Sequence, residues 1–351
     1  MRVVSNPLAH VLRKSCNTRT AHCLRENTTV DTTLSNIANL GLSRRGFLAG
    51  AGAVTAATLV GCGDNGTPTS TVPTPPSAVA VTDVDILNFA LNLEYLETEF
   101  YLRAATGTGL AAADGGGATV TAPTTTKIAF SNAFYQQFAF ELAQTELQHV
   151  RAIRATITSL GGTPVAAPAL NFTDAFNAVA AQAGLTSFNP FSSDANFLIG
   201  ALTFEEVGVT AYTGAAKLIT SLAVLDAADG IQAAEAYHAG AIRTIMAGSA
   251  LVSKSTAGID AYNSILQLLN KLDGTTHTTT LTTGGVSSTN ATVGTVYSPS
   301  SVVSADSNAV GFARTTDQVL HIAYATLPGT YTASGGFFPS GLNGTIKQPT
   351  T

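Results

Sequence analysis

Charge is the first thing this chain lacks. Only 11% of its 351 residues are Asp, Glu, Lys or Arg, against about 25% in ordinary soluble domains. Residues 62–351 hold ten Lys/Arg against twenty acids. No basic stripe interleaved with aromatics appears there, which excludes a nucleic-acid surface. Cysteine is also scarce: Cys16, Cys23 and Cys62 are the only three. Everything after residue 62 is therefore without thiolate metal sites or a disulfide framework. Long apolar runs are missing too. The best candidate, Ala49–Gly61, is rich in Ala and Gly and falls short of the roughly 20 apolar residues a membrane span needs.

What is present begins with a basic leader. Residues 1–61 carry seven Lys/Arg against two acids, and Ser43-Arg44-Arg45-Gly46-Phe47-Leu48 has the form of a twin-arginine export signature. The apolar run after Arg44 and Arg45 ends in Leu59-Val60-Gly61-Cys62. That resembles a bacterial lipobox, whose chemistry lipidates the cysteine and cleaves before it. Residues 1–61 are thus expected to be a twin-arginine signal segment. The expected route is the Tat export machinery, with the mature chain on the periplasmic face, anchored to the membrane by lipid at Cys62. Residues 62–82, rich in Thr, Pro and Ser, cannot repay their ordering entropy and read as a flexible tether.

From residue 83 the apolar spacing turns helical. Ile86, Leu87, Ala90, Leu91, Leu93, Leu96 and Phe100 define a first helix, capped by Asp83 or Asp85. A second is expected from about Lys127 to Leu160, stopped by Gly161-Gly162. A long connection, 163–193, carries a helical piece near Asp174–Ala183. A third helix follows from Ser193 or Asp194 to about Thr220, and a fourth over Ala223–Leu251. A short fifth spans Gly258–Leu272, with Ile259, Tyr262, Ile265, Leu266 and Leu269 on one face. Two hairpins joined by one long crossover make a four-helix bundle over 83–273. Residues 274–351 are expected to be an irregular Thr/Ser/Gly-rich tail packing on the bundle, with a short helix at Thr315–Ala325.

All eight glutamates after residue 62 fall in the four long helices: Glu94, Glu97, Glu99, Glu141, Glu146, Glu205, Glu206 and Glu235. His149 and His238 each follow a glutamate by three positions, Glu146 and Glu235. At that spacing two side chains are about 60° apart around a helix and about 4.5 Å apart along it, so both can reach one ion. One Glu-x-x-His is common by chance; two on alternate helices are not. The chain also repeats itself. Glu146…His149…Arg154 aligns with Glu235…His238…Arg243, and Glu94…Tyr101 with Glu205…Tyr212. Each half supplies a helix with a lone Glu and a helix with Glu-x-x-His, the plan of di-iron and di-manganese carboxylate centres. Four carboxylates in an apolar interior would be costly unpaired, and two divalent ions, Fe or Mn, would cancel their charge.

Rival readings stand beside these. Glu97 shares a face with Glu94 and is the alternative ligand; otherwise Glu97, Glu99 and Glu141 read as solvated or helix-pairing groups. Glu206 points about 100° from Glu205. Tyr101 and Tyr212 read either as residues close behind the ligands or as core tyrosines. Arg154 and Arg243 read as surface or interface charges, His321 as structural, and His277 as without a role.

The stretch Leu87-Asn88-Phe89-Ala90-Leu91-Asn92-Leu93-Glu94-Tyr95-Leu96-Glu97 with Phe100-Tyr101 resembles the opening of the ferritin-like domain family that includes desiccation-related proteins. Arg314-Thr315, Gln318-Val319-Leu320 and Gly335-Gly336-Phe337-Phe338-Pro339 resemble its tail. The resemblance covers about 83–346 and implies an all-α, ferritin-like four-helix bundle. By position it implies Glu94 and Glu205 as terminal carboxylates, Glu146 and Glu235 as bridging ones, and His149 and His238 as terminal nitrogens. For this branch the stress or desiccation association is a label and not a reaction; the activity expected of two neighbouring metals is chemistry on dioxygen or peroxide, of ferroxidase or peroxide-detoxifying type, in envelope stress protection. The alternative is a non-enzymatic protective bundle with a vestigial site. Homo-oligomer formation stays open.

Overall fold

The computed structural model describes residues 81–281 and 302–350. Arg44, Arg45, Cys62 and the tether up to residue 80 lie outside them. Four long helices dominate: α1 (Asp83–Thr106), α2 (Ala133–Ser159), α4 (Asp194–Ala216) and α5 (Leu222–Ser253). Shorter helices are α3 (Thr173–Gln182), α6 (Ala257–Leu272) and α7 (Thr316–Ala323). A two-residue parallel ladder pairs β1 (Val120–Thr121) with β2 (Leu170–Asn171), tying the α1–α2 loop to the crossover.

α1 pairs with α2 and α4 with α5, each pair antiparallel. Ile128 N donates to Ala104 O at one end of the first hairpin (2.9 Å), and Gly162 sits against Val84 at the other. In the second, Gln232 lies beside Thr213 and Arg243 beside Glu206. The architecture is an all-α, ferritin-like bundle with the crossover 160–193 carrying α3.

Local chemistry sets the helix ends. α1 starts one residue earlier than its acids suggest. Thr82 is the cap, accepting from Asp85 N at 3.2 Å, while the Asp85 carboxylate reaches back to Thr82 N at 3.0 Å. This reciprocal box satisfies two otherwise orphaned donors. α2 begins at Ala133 and not at Lys127, because Asn132 caps it and Ile128 is already spent packing under the end of α1. α4 stops at Ala216, short of Thr220. The Asp83 carboxylate fixes that turn, taking Thr220 N and Ser221 N at 2.8 Å each.

One end of the bundle is plugged by aromatic rings. Phe100 of α1 stacks on Phe197 of α4 (5.7 Å) and meets Phe204 edge-on (5.2 Å). Phe176 of α3 and Phe337 of the tail close the cluster at 5.0 Å from one another. The tail crosses α4 where that helix has no side chain. A Cβ on Gly214 would stand 1.8 Å from Arg314 O, and Arg314 N donates to Thr210 O at 2.9 Å. Further along, Asn343 and Asn92 exchange two hydrogen bonds, 2.8 and 2.9 Å. With loop and tail on top of it, α1 is buried almost all round.

Candidate metal centre

Each of the four long helices sends carboxylates inward at mid-length. Glu94, Glu146, Glu205 and Glu235 are at most 1% exposed. They converge with the two histidines. Glu94, Glu146, His149 and Glu235 form one group, and Glu146, Glu205, Glu235 and His238 another; within each, one donor atom per residue lies within 4.8 Å of all the others. Glu146 and Glu235 belong to both. Glu94 and Glu205 each belong to one, on opposite sides. Glu97 belongs to neither.

The distances are short. His149 Nδ1 lies 3.1 Å from Glu235 Oε1, 3.2 Å from Glu146 Oε2 and 3.4 Å from Glu94 Oε2. His238 Nδ1 lies 3.0 Å from Glu146 Oε1 and 3.4 Å from Glu205 Oε2. The two rings face each other at 6.2 Å. Few of these approaches are aligned as hydrogen bonds. Among the described residues Glu94 Oε2, Glu146 Oε1, Glu205 Oε2, both oxygens of Glu235 and His238 Nδ1 are buried with no hydrogen-bond partner. A buried polar atom left unpaired costs about 1–3 kcal/mol, more when charged. So many aimed at one volume is the arrangement expected of a metal-binding site, and carboxylates with imidazoles are donors for divalent cations.

Two tyrosines brace the outer carboxylates across the bundle. Tyr101 of α1 donates to Glu205 Oε1 on α4 at 2.5 Å, and Tyr212 of α4 donates to Glu94 Oε1 on α1. Each leaves the other oxygen of its glutamate facing the cluster. Burial, with Glu205 near one and Glu94 near the other, raises both phenols well above their usual range. They stay neutral donors.

The electrostatics of the protein groups alone are lopsided. Burial pushes Glu94 up to about 7, partly offset by His149. Glu205 is raised mainly by burial, and Glu97 and Glu235 are raised well above the carboxylate range by burial and by neighbouring carboxylates. Burial acts upward on Glu146 as well, but the approach of both histidines reverses it and holds that group at about 2. Both imidazoles are raised, His238 to about 11, because the surrounding carboxylates outweigh their burial.

Several side chains stand elsewhere than their spacing suggests. Glu97 and Glu99 are not solvated; each is 4% exposed. Glu99 is helix-pairing, as its spacing allows, accepting from Arg103 Nε at 2.8 Å one turn on, and also takes Leu110 N at 3.0 Å, while Glu97 abuts the cluster. Glu141 is exposed. Arg243 is no surface charge. It is wholly buried and paired with Glu206 at 2.5 Å, and it reaches Thr279 O at 3.1 Å. A second buried pair, Arg314 with Asp273 at 2.7 Å, lies beside Thr210. Arg154 is half-buried and bonds Tyr95 OH at 2.6 Å. His321 is buried, and His277 lies 3.2 Å from Asp273.

Sequence reasoning passed over Gly208. A Cβ there would stand 2.7 Å from Glu235 Oε2 and 3.2 Å from Glu97 Oε1. An isolated glycine inside a helical pattern, three residues after Glu205, is the available signal of close approach.

Comparison with known proteins agrees with the helical-bundle fold. Residues 82–248 match the family model described as a ferritin-like domain. The chain is 29% identical over 198 residues to desiccation-related protein PCC13-62 of Craterostigma plantagineum, covering 54% of this chain and 62% of that protein's length. It is 25% identical over 276 residues to the ferritin-like catalase Nec2 of Nesocodon mauritianus, covering 76% and 85% of the two chains.

Proposed function

The chain belongs to the ferritin-like domain family through residues 82–248, and from that premise we propose that its six clustered side chains hold two divalent ions, iron or manganese, for reaction with peroxide or dioxygen. The observation that carries this reading is the sharing of Glu146 and Glu235 between two four-residue groups. Shared carboxylates with one private carboxylate and one imidazole on each side suit a pair of ions and not a single one. When bound, the ions supply Lewis-acid and redox chemistry toward an O–O bond.

The protein's own part is orientation. Tyr101 and Tyr212 fix the private carboxylates, and Glu146 and Glu235 fix the spacing. Of the six, the imidazoles on α2 and α5 are the least buried, with side chains 9% and 12% exposed. Peroxide is the favoured substrate, supported by the likeness to a protein named a ferritin-like catalase.

Metal analysis of the purified chain, with peroxide and dioxygen consumption measured alongside, tests this. About two ions per chain and turnover lost in Glu146→Gln are expected. A chain that takes up no metal after anaerobic loading with Fe(II) or Mn(II) defeats it. Likeness to a desiccation-related protein favours a second reading, a protective bundle whose benefit survives Glu146→Gln. We further propose export through the Arg44-Arg45 signature and lipid attachment at Cys62, in service of envelope stress protection. Lys substitution of both arginines and Cys62→Ala, followed by cell fractionation, tests each step. No helix of the described residues is long and apolar enough to cross a membrane.

A further inference from the structure

We propose that a small apolar cavity adjoining the carboxylate cluster is a binding site for one dioxygen-sized apolar molecule. The cavity, about 30 Å³, lies among α1, α3, α4, α6 and α7, walled by Leu93, Phe204, Leu269 and Ala323. All four are at most 9% exposed, so its walls are buried side chains. A void of this size exceeds the roughly 10–15 Å³ that one water requires, but a water also needs two to four polar partners. The walls do not supply them. Thr203, which lines the cavity, spends its hydroxyl on Ile199 O at 2.8 Å. That leaves the Glu97 carboxyl, which makes no hydrogen bond among the described residues, as the one uncommitted polar side chain. Apolar cavities with so little polarity stay dry and take up xenon or small apolar molecules.

The cavity's position gives it a use. Gly208 lines it as well, and over that bare backbone lie Glu97 Oε1 and Glu235 Oε2. A guest in the cavity therefore touches Gly208, the residue against which a shared carboxylate of the cluster, Glu235, also stands. Dioxygen makes no hydrogen-bond demands and partitions into apolar volume. Its passage to or from the metal pair, as substrate or as the product of peroxide dismutation, rests on the oxidative reading above.

Crystals of the full chain pressurised with xenon test the site without metal or turnover. One xenon atom is expected between Leu93, Glu97, Phe204 and Ala323. Ala323→Val or, should that misfold, Val179→Ile at the wall that α3 contributes to the cavity fills the space and is expected to abolish that density while circular dichroism stays unchanged. An ordered water on Glu97 in place of xenon, no density at all, or xenon persisting in a folded filled variant would each overturn the assignment. A chain that binds xenon but no metal sinks the oxidative reading alone. One that binds two metals but no xenon sinks the cavity alone.

Discussion

Tyr101 on α1 is hydrogen-bonded at 2.5 Å to Glu205 on α4, a residue 104 positions away in the sequence. Tyr212 returns the same contact to Glu94. Hydrogen-bond partners behind ligands set ligand orientation, and their loss costs about 10–100-fold in metal affinity. Tyr101→Phe and Tyr212→Phe are each expected to weaken binding by about tenfold without unfolding the bundle. Competition with a chelating dye measures this, and unchanged affinity in both variants would make them core tyrosines only.

The shared and private carboxylates should fail differently. Glu94→Gln strips one group of a private ligand and leaves the other intact, so about one ion per chain should remain. Glu146→Gln injures both groups and should leave nearly none. Elemental analysis of the two purified variants distinguishes them. Equal losses would contradict the partition.

Ion removal should cost stability. Ligands that bind only the folded state stabilise it by about 2.7 kcal/mol at a hundredfold excess over Kd, or roughly 5–10 °C in Tm for a domain of this size. Dialysis against a chelator should lower Tm by that amount, and readdition of Fe(II) or Mn(II) should restore it. Without ions, the approach of His149 Nδ1 at 3.1 Å is what remains to offset the burial of Glu235.

Asp83 supplies a pH-dependent clamp. Partial burial acts to raise its pKa, but the bonds from Thr220 and Ser221 outweigh that and hold it below the usual carboxylate value. A folded pKa below the unfolded one means the stabilisation is complete above the unfolded value, about 3.9. It is lost as pH falls through the folded value. Asp83→Asn should therefore cost about 1 kcal/mol at pH 7, allowing for solvent screening, and less at about pH 3, below the unfolded value. Denaturant titrations of both proteins at the two pH values check this.

How much of this could be read from the sequence follows from burial. Glu146-x-x-His149 and Glu235-x-x-His238 are visible because three-residue spacing on a helix is itself a geometric statement. The internal repeat then pairs Glu94 with Glu205 and Tyr101 with Tyr212. The burial of Glu97, Glu99 and Arg243 was not visible, because helical periodicity assumes one face in water. α1 has none: Leu110 caps Glu99, and Asn343 and Thr345 cover Asn92 and Asp85. Arg243 aligns with Arg154, yet only Arg243 meets a buried glutamate. No pattern local to either helix encodes that partner. Removing one member of such a pair costs about 3–5 kcal/mol, so Arg243→Met should lower stability sharply, and adding Glu206→Met should recover part of it. Equilibrium unfolding of the single and double variants measures the recovery.

The division of ligands between the two hairpins bears on when an ion can be captured. The α1–α2 hairpin owns Glu94, Glu146 and His149, and the α4–α5 hairpin owns Glu205, Glu235 and His238. Each four-residue group draws on both. A chain emerging from the ribosome can present neither group until α5 has docked. An ion bound at either group would therefore require that both hairpins have been made and correctly joined.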